Sequence, residues 1–213
     1  MLMTGVALLI SYLVGSIPTA YLFGKMLKGI DIRTVGSGNV GATNALRILG
    51  RKAGITVLLL DILKGFVTVV FLGNFFSDQT LLLPAQDLRL LMGLACICGH
   101  NWTVFLRFKG GKGIATTFGV LLGMALKIEG LNLVIGLLIL LWFTVFLVFR
   151  IVSLASICCA VALPVFCFVF KLPWLFAVLC LLLSVVVILR HKSNLGRILQ
   201  GKEPRLYFKK STR

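Results

Sequence analysis

Long apolar runs alternate with short polar segments along the whole of this 213-residue chain. The apolar runs cover about 3–24, 54–73, 81–99, 113–126, 131–149, 151–170 and 172–189. A helix needs roughly 20 apolar residues to cross a bilayer, within a range of about 17–25. The run at 113–126 is short and contains Thr116, Thr117, Gly119 and Gly123, which predicts a tilted or re-entrant helix supported by its neighbours. The run at 81–99 carries Asp87 and Arg89 near its start, and sliding it to about 88–106 would place His100 and Asn101 at the bilayer's inner edge. Pro18, Pro84, Pro164 and Pro173 fall in or at the ends of runs, where kinks are tolerated if neighbours satisfy the freed carbonyls. The pattern predicts an all-α integral membrane protein, a bundle of about seven transmembrane helices forming a single domain over 1–213.

The basic residues orient this bundle. With the start outside, the inside segments 25–53, 100–112, Arg150 and 190–213 hold six, three, one and eight Lys/Arg, whereas the outside loops hold only Lys127 and Lys171. That asymmetry follows the positive-inside rule, so the chain is expected to end in the cytoplasm with its three polar, glycine-bearing segments on that side. A net charge of +16 would suggest nucleic acid in a soluble protein. Here 59% of residues are hydrophobic and the charge sits in short segments between apolar runs, so its partner is the membrane surface and nucleic acid is excluded. The first run has no basic stretch before it, and Lys25 and Lys28 follow it, so it reads as a retained span rather than a cleaved leader. The six cysteines all lie in apolar runs, without a partner pair at zinc spacing, and read as helix-packing residues.

The least membrane-like stretch runs from Gly99 to Gly113 and ends in Lys109-Gly110-Gly111-Lys112-Gly113. Glycines let backbone N–H groups turn toward an anion, and a helix starting just beyond adds its positive end. Arg107, Lys109 and Lys112 add full charge, so the segment suits phosphate. It is not a P-loop, because Gly113 stands where Ser or Thr would be needed. An earlier segment, Gly36-Ser37-Gly38-Asn39-Val40-Gly41-Ala42-Thr43-Asn44, is followed by Arg47. Its formal G-x-G-x-x-G match lacks the strand that a dinucleotide fold requires. Asn44 and Arg47 share a face if a helix begins near Gly41. The third segment places His191, Asn194 and Arg197 along one helical face, with Leu195, Ile198 and Leu199 opposite, as in an amphipathic helix on the inner surface. Histidine is the natural proton acceptor near neutral pH. Glu203 is one of only six acidic residues and is expected to pair with an arginine or cap a turn, in a structural role. Inside the second run, Asp61 and Lys64 stand three apart, an ion pair that either is self-contained or else braces the glycine segments or lines the substrate entrance.

Together the three segments resemble the bacterial acyl-phosphate–glycerol-3-phosphate acyltransferase family. That family carries a GSGNxGxTNxxR-like first motif, a GHNxxxFLxFKGGKG-like second and an HxxNxxRLxxGxE-like third. All three occur here in order, with Ile198 at the leucine position of the third, and the resemblance spans nearly the whole chain. It implies transfer of a fatty acyl group from acyl phosphate to the 1-hydroxyl of sn-glycerol 3-phosphate, giving lysophosphatidate and inorganic phosphate, as a step of phospholipid synthesis. It also implies catalytic roles for Ser37, Arg47, His191 and Asn194. Gly36, Gly38, Asn39, Asn44, His100, Asn101, Lys109, Gly110, Gly111, Lys112 and Gly113 would bind substrate, and Asp61, Lys64 and Glu203 would be structural. The implied partners are glycerol 3-phosphate, acyl phosphate and the lipid bilayer, with no cofactor, no metal and no obligate protein partner. The implied location is a bacterial inner membrane, with the active site facing the cytoplasm.

Two rival readings fit less well. An organic-anion transporter would show repeated halves and midplane polarity, whereas polarity here collects on one side. An acyltransferase of the H-x-x-x-x-D type is excluded, because Phe105 and Gly196 stand five residues after the two histidines.

Overall fold

The computed structural model describes residues 1–79 and 82–207, and among them the regular structure is entirely helical. The fold is that of an all-α integral membrane protein. The chain divides into two compact units, Met1–Lys127 and Ile128–Arg213.

The first unit begins with α1 (Leu2–Ser16) and α2 (Thr19–Lys28). Pro18 separates them: the residue before a proline is pushed out of the α region, and Ile17 is at φ −56°, ψ 113°. A 3-10 turn at Ile32–Thr34 leads to α3 (Ala42–Leu49) and α4 (Arg51–Val67). The latter widens into a π turn at Thr68–Leu72 before α5 (Gly73–Ser77). Then come α6 (Ala85–Asn101), a 3-10 turn at Val104–Leu106 and α7 (Ile114–Ala125). Small residues set the closest crossings, as they do between helices in lipid. A Cβ on Gly15 of α1 would overlap the Cys96 carbonyl of α6, and one on Gly99 of α6 would overlap the Tyr12 carbonyl of α1. The α4–α7 crossing is closed the same way, by Gly65 against Thr116 and Gly119 against Ile62.

The second unit contains α8 (Leu131–Phe149), α9 (Val152–Val169), α10 (Trp174–Arg190) and α11 (Lys192–Leu199). α9 packs between α8 and α10. The axis bends by 60° between α10 and α11.

Among the described residues, five helical stretches are long and apolar enough to cross a membrane: Leu2–Lys28, Arg51–Ser77, Ala85–Leu106, Leu131–Phe149 and Val152–Val169. The α10–α11 pair makes a sixth if it is counted as one broken span. The remaining expected span is α7, whose 12 residues rise only about 18 Å at 1.5 Å each and cannot cross alone. The third span lies between its two expected registers: α6 begins at Ala85 and ends at Asn101, so His100 and Asn101 form its last turn. Its expected start at 81 and the basic tail from 208 onward lie outside the described residues.

Candidate active site

The first unit carries two of the polar segments. In the first, Asn44 acts as a bracket. It is 1% exposed, its Nδ2 donates to the carbonyls of Ile32 and Val35 at 3.1 Å each, and its Oδ1 accepts the Ser37 N–H at 3.0 Å. Expected among the substrate-binding groups, Asn44 instead has both amide protons committed to folding the turn. That turn leaves Ser37 and Gly36 exposed, with Gly38, Asn39 and Arg47 partly buried beside them. Asp31, which periodicity did not single out, caps the 3-10 turn through the Arg33 N–H at 2.9 Å and pairs with the Arg33 guanidinium at 2.7 Å. The Arg33 side chain beside it holds the Asp31 carboxyl down at about 2. Leu106 packs with Ala20, Ile32, Val40, Ala45 and Val57, which seats the second polar segment against the first.

The second segment folds back onto the end of α6. Gly110 N–H donates to the Asn101 carbonyl at 3.2 Å and Gly111 N–H to the His100 carbonyl at 3.0 Å. The loop thus satisfies two of the terminal carbonyls that a helix leaves open. This changes the reading of these glycines: two of their N–H groups are spent on the helix end, and what they provide is room. A Cβ on Gly110 would overlap the His100 carbonyl, and one on Gly111 would overlap His100 Nε2. Gly113, at φ +80°, leads into α7, and an added Cβ there would lie 2.8 Å from Asn101 Oδ1. Asn101 is fully buried, and neither Oδ1 nor Nδ2 has a hydrogen-bond partner among the described residues. Buried amides are normally paired, and this unpaired one lies beside Gly113 at the start of α7. Lys109 is exposed and Lys112 half-buried at the mouth of the same loop.

Beneath the loop lies a buried polar cluster. Lys64 Nζ is 2.8 Å from Asp61 Oδ1 and 2.8 Å from His100 Nδ1, and donates to the Ile17 carbonyl at 3.2 Å. Thr19 Oγ1 donates to Asp61 Oδ1 at 2.7 Å. The Asp61–Lys64 pair is therefore not self-contained, because it reaches into the second polar segment through His100.

The second unit holds the third segment. His191, at the α10–α11 junction, is 3% exposed, with Nδ1 2.8 Å from the Val187 carbonyl. A carbonyl only accepts, so Nδ1 carries a proton. Asn194 donates through Nδ2 to Glu203 Oε1 at 2.6 Å, Ser153 donates to the same oxygen at 2.7 Å, and Arg197 Nε donates to Oε2 at 2.7 Å. Burial pushes the Glu203 carboxyl up, but these three donors outweigh it and hold it below its ordinary value. Glu203 thus meets Asn194 and Ser153 as well as Arg197. Ser153 has no local signal in the sequence, because it meets Glu203 from α9. Leu199 is 87% exposed, which suits the apolar side of a helix lying on a membrane surface. Among the described residues, no group of three or more His, Cys, Asp or Glu is arranged to hold a metal ion.

Comparison with known proteins places this geometry in context. The model of the glycerol-3-phosphate acyltransferase family matches residues 5–201. The chain is 41% identical over 204 residues to a glycerol-3-phosphate acyltransferase of Prochlorococcus marinus, covering 93% of this chain and 92% of that one. It is 38% identical over 212 residues to that of Staphylococcus aureus, covering 94% and 96%. Among solved structures it is similar to the integral membrane glycerol 3-phosphate acyltransferase PlsY in its glycerol 3-phosphate form, with TM-score 0.83, 38% identity and 96% of each chain covered. The lysophosphatidic acid form of PlsY gives TM-score 0.80 and 36% identity, covering 96% of this chain and 95% of that one.

Proposed function

The chain belongs to the glycerol-3-phosphate acyltransferase family, and from that membership we propose that it transfers a fatty acyl group from acyl phosphate to the 1-hydroxyl of sn-glycerol 3-phosphate. The products are 1-acylglycerol 3-phosphate and inorganic phosphate. The observation that carries this reading is the continuity of the family match, which runs from the first motif into the third, over residues 5–201.

Acyl phosphate is a mixed anhydride with a good leaving group. The work left to the protein is to hold two anions, stabilise a tetrahedral oxyanion and accept one proton. The hydroxyl oxygen of glycerol 3-phosphate attacks the acyl carbon, the bond from that carbon to the phosphate oxygen breaks, and phosphate departs. In the first unit, Lys109, Lys112, Asn101 and the first turn of α7 bind the phosphate of glycerol 3-phosphate, while Arg47 and the turn at Gly36, Gly38 and Asn39 hold the acyl phosphate. The Ser37 hydroxyl donates to the oxyanion. In the second unit, His191 takes the hydroxyl proton at Nε2 and returns it to the leaving phosphate. Asn194, whose Nδ2 donates to Glu203, orients the attacking hydroxyl. The reading treats 1–213 as one acyltransferase domain of a bacterial inner membrane, acting in phospholipid synthesis with its polar segments in the cytoplasm. The Lys/Arg distribution supports that orientation.

The test is to incubate purified protein in micelles with glycerol 3-phosphate and palmitoyl phosphate, and in parallel with palmitoyl-CoA. Lysophosphatidate is expected from the acyl phosphate. Product from the CoA ester alone would overturn the donor assignment, and product from neither would sink the enzyme reading.

A further inference from the structure

Lys64 has three ammonium protons and three acceptors around it: Asp61 Oδ1 at 2.8 Å, His100 Nδ1 at 2.8 Å and the Ile17 carbonyl at 3.2 Å. An ammonium has no lone pair, so Nδ1 of His100 must be the acceptor in its pair. That pair has one donor and one acceptor only when the ring is neutral and carries its proton on Nε2. Asp61 does not set the ring directly. Its Oδ1 is 3.7 Å from His100 Nδ1, beyond hydrogen-bonding range, and the ammonium mediates between them. Thr19 holds the same carboxylate oxygen from α2 at 2.7 Å. The backbone is also adapted at this point. The Lys64 carbonyl accepts from Thr68 Oγ1 at 2.7 Å, where α4 widens into its π turn, a feature frequent at functional sites. On the far side of the ring, Nε2 faces Gly111, so closely that a Cβ there would overlap it.

We propose that Lys64 is a positioning residue for glycerol 3-phosphate binding: Asp61 and Thr19 hold its ammonium, the ammonium fixes His100 as the Nε2–H tautomer, and the ring thereby presents a donor at the glycine loop. The proposal rests on the reading of Lys109–Gly113 as the phosphate-holding loop. The opposite tautomer would point a lone pair at that loop and repel an anion. The sequence shows Asp61 and Lys64 as a pair but carries no sign of this third partner, 36 residues away.

Nitrogen NMR of histidine-labelled protein tests the tautomer without reference to activity. The chain has two histidines. His191 donates from Nδ1, so the wild type should show one ring of each tautomer. In Asp61→Asn/Lys64→Met, which removes both charges at similar volume, the His100 signals should move to a mixture while those of His191 stay in place. The KM for glycerol 3-phosphate should rise about tenfold, the effect expected of losing one hydrogen bond to a charged ligand, with kcat little changed. Adding His100→Gln supplies an amide donor that needs no tautomer to be set, and should recover most of the KM. A merely structural pair would lower thermal stability and leave both the tautomer and KM as they were, which would overturn the proposal. Failure of His100→Gln to recover KM would assign the loss to packing and overturn it likewise. A wild type that does not bind glycerol 3-phosphate removes the loop reading and the ligand half of the proposal, while the spectrum still decides whether Lys64 sets the ring.

Discussion

Nδ2 of Asn194 donates to Oε1 of Glu203 across 2.6 Å, nine residues along the chain, and this bond fixes which way the Asn194 amide is turned. The same carboxylate accepts from Ser153 and Arg197, so it ties α9 and α11 to one point. Glu203→Gln keeps the shape but replaces one acceptor oxygen by an NH2, which must confront either Arg197 or the Asn194–Ser153 pair. Hydrogen bonds to charged groups are worth about 1.5–3 kcal/mol, so kcat should fall by roughly 10- to 100-fold, together with a lower unfolding temperature. Steady-state kinetics and thermal unfolding in the same micelles would show it. Wild-type values in both would mean that the carboxylate is dispensable.

Acid should expose the carboxylates whose charged forms are held. The Asp31 carboxyl lies at about 2 against an ordinary 3.8, and that of Glu203 lies below its ordinary 4.5. A depressed folded-state pKa stabilises the fold above the unfolded value and is lost as pH falls through the folded one. The contribution of these two groups should therefore be constant from neutral pH down to about 4.5 and decline toward 2. Asp31→Asn should flatten the lowest part of an acid-unfolding curve followed by circular dichroism. An unchanged curve would remove Asp31 from the account.

The Asp61–Lys64 pair predicts strong non-additivity. Both side chains are almost fully buried, at 1% and 6% exposure. Breaking a buried pair by removing one partner typically costs about 3–5 kcal/mol, because the other charge is left uncompensated, whereas replacing both with neutral groups is often close to neutral. Lys64→Met alone should be severely destabilised, and adding Asp61→Asn should restore most of the loss. Unfolding free energies of the two singles and the double, measured in one detergent, check this. Additive effects would argue that the two charges act independently.

Gly111→Ala should act through His100. The Gly111 N–H is already bonded to the His100 carbonyl, so a methyl group removes no donor and instead overlaps the imidazole. Overpacking a tight site costs about 1–3 kcal/mol, so the KM for glycerol 3-phosphate should rise roughly tenfold or more. The decisive measurement is the same substitution in a His100→Ala background, where the space exists and the added effect should be small. An equal effect in both backgrounds would point back to the loop backbone.

Much of this site was visible in the sequence, and what was not shares one cause. Apolar run lengths gave the helices, including the short α7, because span length is a local property. The spacing of Asp61 and Lys64 and of His191 and Asn194 was legible because a helix places residues three apart on one face. Partners that meet by tertiary packing were not: Thr19 reaches Asp61 from 42 residues away, and Ser153 reaches Glu203 from 50. The direction of a turn side chain was also hidden, which is why Asn44 read as facing substrate when it faces inward. Glycine posed a third difficulty. The same composition serves a loop that opens its N–H groups to an anion and a loop that spends them on a helix end to make room for an imidazole.

Ser37 separates two chemistries. It is exposed at the tip of a turn whose amide is fixed by Asn44, but no base belonging to the first unit is hydrogen-bonded to its hydroxyl among the described contacts. A serine nucleophile needs such a base, whereas an oxyanion donor needs only placement. Direct attack therefore predicts that Ser37→Ala loses about 10²- to 10³-fold in kcat, the usual effect of removing one oxyanion donor, and that no acyl-serine forms. Mass spectrometry of the wild type, quenched with palmitoyl phosphate in the absence of glycerol 3-phosphate, tests this directly. A palmitoyl group on the Ser37 peptide would replace the single-step reading with a covalent one.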